Sequence, residues 1–302
     1  MNKVEYFNKI KNQISLLNKI GFNHVVGDYV CPTCLQKFEN VDDLTEEDVP
    51  QSALKGKRIT LTCAKCNNTF GHTIDYSLIN LIKTKDNKKK LFGTNRQIFI
   101  NIDSKKLNAE LKIKEDRSFY ININKKRNNP QVMDFFTNDV LLKDNIIDVY
   151  DKLEKYDIET VSAAIIKNAY LLLFEKVGFS ILGESFYDSI RKQLKEPYVC
   201  YLPERLWTIQ EIGGDDGIYL SQDFRYRGFF IIYTVEHISK YKVCVFIPTI
   251  NVEYYHAAKL LQEIKAGDQI SVVPFPNNMD FFEDEKAIIK LQKWCEGKVI
   301  NI

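Results

Sequence analysis

Cys31-Pro32-Thr33-Cys34 and Cys63-Ala64-Lys65-Cys66-Asn67-Asn68 decide how the first quarter of this 302-residue chain folds. Each Cys-x-x-Cys turn aims two thiols at one point, and two such turns offer the four soft ligands that tetrahedral zinc prefers. Four protein ligands close the shell, so a structural zinc on Cys31, Cys34, Cys63 and Cys66 is expected. Between the pairs lie 28 residues that include the acidic stretch Thr45-Glu46-Glu47-Asp48-Val49-Pro50. Disulfides are the other use of such cysteines, but nothing reads as a secretory signal, and the reduced cytoplasm, the expected compartment, disfavours them. Cys200, Cys244 and Cys295 lack such spacing and read as buried small hydrophobes.

Working outward, residues 1–20 carry Val4, Phe7, Ile10, Ile14, Leu17 and Ile20 at helical spacing. Val25-Val26 and residues 59–62 are short strand candidates leading into the two cysteine turns, joined by the acidic stretch as a loop. After the second turn, Asn67, Asn68 and Thr69 offer capping side chains for a helix to about residue 82. Its phase gathers Phe70, Ile74, Leu78, Leu81 and Ile82 on one stripe. Asn67 falls near that stripe and can reach the loop, whereas Asn68, His72, Asp75 and Ile79 fall on the opposite side.

The formal charge of +2 conceals a segregation. Residues 81–127 hold fourteen Lys and Arg against five acids, and residues 28–50 hold seven acids against Lys37 alone. An acidic loop beside a basic surface suits a metal-assisted reaction on a polyanion, since acids hold cations while lysines hold phosphates. A solvated, lysine-rich linker is the plainer reading of a charge run. Lys88, Lys89, Lys90, Arg96, Lys125, Lys126 and Arg127, interleaved with Phe92, Phe119 and Tyr120, make the candidate nucleic-acid surface.

The expected fold class is α+β. An N-terminal helix plus zinc-stapled module spans 1–82 and a basic linker 83–90. An antiparallel β region at 91–140 has strands at 97–102, 107–113 and 118–123 alternating at period two. A C-terminal α+β domain spans 141–302, with helices at 144–157, 159–176, 184–194, 253–265 and 282–295. Its strands fall at 206–212, 217–221, 229–235, 243–247 and 269–273. The longest apolar runs are far short of a bilayer span, so no membrane partner is expected.

The cysteine turns, the acid pair before Val49-Pro50, the Lys55-Gly56-Lys57 turn and Leu61-Thr62-Cys63-x-x-Cys66-Asn67-Asn68 together resemble the zinc-ribbon branch of the HNH endonuclease family. The resemblance covers about residues 25–82. Residues 164–178, beginning Ala164-Ile165-Ile166-Lys167-Asn168-Ala169-Tyr170, are similar to a helix of uncharacterised bacterial proteins of this kind. Members of the family cut nucleic acid with a ββα-metal hairpin and helix. A metal binds the scissile phosphate, a loop histidine activates water and a polar residue at the helix start completes the ligands.

Carried onto this chain, the resemblance implies Glu47 as the metal-binding acid and Asn67 as the helix-start residue. Asp48 stands where the family has its histidine, and a carboxylate of ordinary pKa, about 3.9, is a weaker base than imidazole. The resemblance leaves two outcomes. Glu47, Asp48 and Asn67 surround a catalytic Mg²⁺ or Mn²⁺, with His72 the one histidine inside the motif; or the site is dead and the module only grips nucleic acid. The expectation is a metal-dependent endonuclease acting on DNA, in a setting such as phage defence or restriction. The alternatives are a catalytically inactive nucleic-acid-binding zinc-finger protein and a zinc-stapled interaction module with a protein partner or a second copy of itself.

Overall fold

The computed structural model describes residues 2–22, 24–89, 95–102, 105–140, 148–152, 154–210, 215–263 and 270–302. The chain is α+β with antiparallel sheets and forms two compact units, Met1–Ile79 with Tyr156–Ile302, and Asn80–Lys155. The cysteine module and the C-terminal region, expected as separate domains, thus share one unit into which the middle of the chain is inserted. The reason lies in a central helix too apolar to be covered by the C-terminal sheet alone.

In the first unit, α1 (Lys3–Lys19) starts at Asn2, whose side chain and that of Glu5 form a capping box. It buries Phe7, Ile10, Ile14 and Leu17 of the stripe expected from the sequence, while Val4 at its start is exposed and Ile20 just past its end is partly buried. The strands β1 (Tyr29–Val30) and β2 (Lys37–Phe38) frame the first cysteine turn. Strand β1 begins three residues beyond the expected Val25-Val26.

The acidic stretch expected as a loop is itself a strand. β3 (Leu44–Val49) pairs antiparallel with β4 (Lys57–Cys63), with a register shift between Glu47 and Asp48. The pairing buries Leu44 and Val49 in the core and turns Glu47 inward with them. The connecting turn needs Gly56, because a Cβ there would lie 1.3 Å from the Pro50 carbonyl oxygen.

From β4 the chain enters α2 (Ala64–Phe70), passes a π-helical turn over Gly71–Asp75 and continues as α3 (Tyr76–Lys88). The run expected as a linker is therefore helical through Lys88. Phe70, Ile74, Leu78, Leu81 and Ile82 are all buried. The wide turn adds one residue to the phase, which carries Asp75 from the expected outer side into the interior.

The second unit contains β5 (Asn95–Ile102), β6 (Lys105–Ile113), β7 (Phe119–Asn122), α4 (Pro130–Phe135) and β8 (Asp148–Asp151). Its sheet order is β7-β6-β5-β8. Ile98, Ile100, Leu107 and Ala109 form its core with Met133 and Phe136. The helix expected over 144–157 is absent from its described part, where residues 148–151 pair with β5 instead. Cross-strand pairing overrides the local pattern there.

The first unit resumes with α5 (Ile158–Val177), α6 (Phe179–Leu182), α7 (Asp188–Lys195), β9 (Trp207–Gln210), β10 (Gly217–Ser221), β11 (Gly228–Glu236), β12 (Lys240–Pro248), α8 (Tyr254–Glu263), β13 (Val272–Pro274) and α9 (Glu285–Cys295). The five strands order as β13-β10-β11-β12-β9. Asp157 caps α5, which is buried around almost its whole circumference. It packs on β11 and β12 and also on β3 and β4. Gln13 of α1 fastens the far end: its Nε2 donates to the Val177 and Phe281 carbonyls at 2.8 and 2.7 Å, and its Oε1 accepts from the Phe179 amide. No helix among the described residues is long and apolar enough to cross a membrane.

Candidate metal centre

The two cysteine turns converge. The Sγ atoms of Cys31, Cys34, Cys63 and Cys66 all lie within 4.8 Å of one another, and Cys34 to Cys63 is 3.8 Å. Metal–sulfur bonds of about 2.3 Å in a tetrahedron require sulfur–sulfur edges of about 3.8 Å. The four cysteines are therefore close enough together to hold a metal ion. Local backbone supports them: the Cys63 amide donates to Cys31 Sγ and the Cys66 amide to Cys63 Sγ, both at 3.4 Å. Hydrogen bonds from Cys34, Cys63 and Cys66 hold the Cys31 thiol far below the ordinary range, while Cys31 pushes the other three up. No other group of three or more His, Cys, Asp or Glu side chains suited to an ion occurs among the described residues.

Behind this centre lies a second polar cluster. Glu47 is 3% exposed; its Oε2 accepts from Thr62 Oγ1 at 3.0 Å and its Oε1 from Lys167 Nζ at 2.7 Å. Lys167 is wholly buried and donates also to Asp75 Oδ2 at 2.7 Å. Gln51 Nε2 donates to the other Asp75 oxygen. Burial alone would lower the Lys167 pKa; the charges of Asp75 and Glu47, with their hydrogen bonds, outweigh it and leave the ammonium above the ordinary lysine value. The cluster is thus an ion triad in which two carboxylates share one cation.

The same helix grips the metal centre. One turn beyond Lys167, the Tyr170 hydroxyl donates to the Pro32 carbonyl at 2.9 Å inside the first cysteine turn, and Arg191 donates to that hydroxyl at 3.1 Å. Lys167 and Tyr170 thereby bind hairpin, helix and cysteine turn to α5. Lys167 and Asp75 were not among the expected site residues. The legible signal was Lys167 itself, a lysine inside the apolar run from Ala163 to Phe174, which has no polar face on which to surface.

The other expected site residues are dispersed. Asp48 is partly exposed with its Oδ1 3.9 Å from Arg58, which pairs more closely with Glu46 at 2.9 Å. Asn67 does reach the hairpin, as its phase required, donating to Thr45 Oγ1 at 3.0 Å and the Glu46 carbonyl at 3.1 Å. His72 is exposed on the outer side. Arg96, expected at a phosphate-binding surface, is instead 3% exposed and paired with Asp151 and the Asn87 carbonyl. Lys88, Lys125, Lys126 and Arg127 are exposed, whereas Lys89 is partly buried and Lys90 and Phe92 lie outside the described residues. Cys200 is exposed and Cys244 partly so, leaving Cys295 as the one of the three expected buried cysteines that is buried.

Comparison with protein-family models, with curated proteins and with solved structures finds no match to this chain.

Proposed function

We propose that the chain is a zinc-stapled nucleic-acid-binding protein whose hairpin and helix derive from an HNH-type ββα-metal module and have lost hydrolytic chemistry. The metal is zinc because four thiolates at tetrahedral spacing favour a soft ion of that geometry, and its role is structural because all four positions are taken by protein. The observation that carries the loss of chemistry is the state of Glu47. The residue that the family resemblance assigns to the catalytic metal is instead buried and held by Thr62 and the Lys167 ammonium. A carboxylate already neutralised by a buried cation has little charge left for Mg²⁺ or Mn²⁺, and freeing it would strand Lys167. Asp48 in the histidine position removes the usual base as well.

Nucleic acid is favoured as the partner by charge. Residues 80–155 carry seventeen Lys and Arg against eleven Asp and Glu, a net of +6, which leaves −4 on the remainder. The test is one reaction series on plasmid and single-stranded DNA with Mg²⁺ and Mn²⁺. The expected result is salt-sensitive binding with no metal-dependent cleavage. Metal-dependent nicking lost in both Glu47→Gln and Asn67→Ala would restore the endonuclease reading.

A further inference from the structure

The four-stranded sheet of the second unit presents two unlike faces. Ile98, Ile100, Leu107 and Ala109 point into the core with Met133 and Phe136. Strand alternation therefore turns Phe99, Lys106 and Lys112 to the opposite face. The register sets Tyr150 of β8 directly opposite Phe99 and Tyr120 of β7 directly opposite Lys112. Such partners share a face with Cβ atoms about 5 Å apart. Tyr150 is 54% and Tyr120 46% exposed. Strand spacing and rise place Tyr120 about 17 Å from the Phe99 and Tyr150 pair.

Cations stand among these rings. Lys106 Nζ lies 3.5 Å and Lys152 Nζ 5.9 Å from the Phe99 ring centre, and Lys114 Nζ lies 5.6 Å from that of Tyr120. The acids on the face are Glu110, which accepts from Gln97 at 2.7 Å and lies 3.8 Å from Arg127, and Asp148 at the edge strand. Rings spaced along a sheet and separated by lysines are unlike the contiguous apolar patch that a protein partner would bury. They match what an unpaired strand needs, a ring for each splayed base and a cation for each phosphate.

We propose that this open sheet face binds single-stranded nucleic acid, with bases stacked on the exposed rings of Tyr150 and Tyr120 and phosphates met by Lys106, which lies over Phe99, and by Lys112 and Lys114. The assignment rests on the nucleic-acid reading above and adds to it the strandedness and the surface. Duplex is excluded as the preferred ligand because stacked, paired bases offer no free ring face.

The experiment is fluorescence anisotropy of the full chain with labelled oligo-dT, oligo-rU and a mixed-sequence duplex. Wild type is expected to prefer a single strand over the duplex, and the two oligonucleotides separate DNA from RNA. Tyr150→Ala and Tyr120→Ala each should weaken single-strand binding about five- to hundredfold, while Tyr150→Phe and Tyr120→Phe keep it. Lys112→Gln should flatten the log affinity against log salt slope by about 0.7, and the thermal melt of every variant checks that it folds. If wild type binds single strands but folded alanine variants bind equally well, the sheet face is wrong and the broader reading survives. If wild type binds no nucleic acid at all, both fail.

Discussion

Lys167 is the residue on which the account turns. A wholly buried ammonium is tolerated because Glu47 and Asp75 each meet it at 2.7 Å. Removing it leaves two uncompensated carboxylates, so Lys167→Met should cost about 3–5 kcal/mol in urea unfolding. The double change Lys167→Met with Glu47→Gln should recover part of that loss, since one stranded charge is gone. Folding raises the lysine's pKa above 10.5, so its contribution is complete below that pH and is lost as pH climbs through the higher folded value. Cys244, whose thiol burial pushes up from 9.0 to about 11, acts in the same direction from pH 9 upward. Stability measured against pH should therefore fall from about pH 9, and Cys244→Ala should lessen the earlier part of that fall, which the buried Cys295 thiol, also pushed up by burial, shares. The triad was half legible: a lysine within an apolar helix demands carboxylates. Asp75 was misplaced because a regular helical phase knows nothing of the π-helical turn over Gly71–Asp75.

At the scale of elements, the hairpin is held from both sides. Gly56 lets the turn close onto Pro50, and Gly56→Ala should destabilise the chain and expose the β3 and β4 amides to hydrogen exchange. Tyr170→Phe removes the bond to the Pro32 carbonyl and leaves the Arg191 guanidinium short of a partner. A loss of about 1–2 kcal/mol in unfolding free energy is expected, with zinc retained. The helix after the second cysteine turn was readable because its apolar stripe, Phe70 to Ile82, is continuous. The acidic strand was not, because Thr45 to Asp48 carries the composition of a loop and is made a strand by pairing with the stretch from Arg58 to Thr62.

For the molecule as a whole, the four cysteines were legible from spacing alone, since soft-ligand geometry allows few alternatives. The division into units was not, because it depends on α5 burying one side against the C-terminal sheet and the other against the hairpin. One consequence is that a metal ion held by the four cysteines would be linked to the stability of the larger unit. Metal analysis should find one zinc per chain; a chelator or Cys63→Ser should lower the melting temperature of the larger unit together with its zinc content.

The central claim is that the hairpin keeps its metal-staple frame while Glu47 belongs to Lys167. Titration of the zinc-loaded chain with Mn²⁺, followed by electron paramagnetic resonance, tests it most directly. Mn²⁺ is expected to stay free in solution, with Glu47→Gln indistinguishable from wild type. A tightly bound Mn²⁺ that disappears in Glu47→Gln would contradict it.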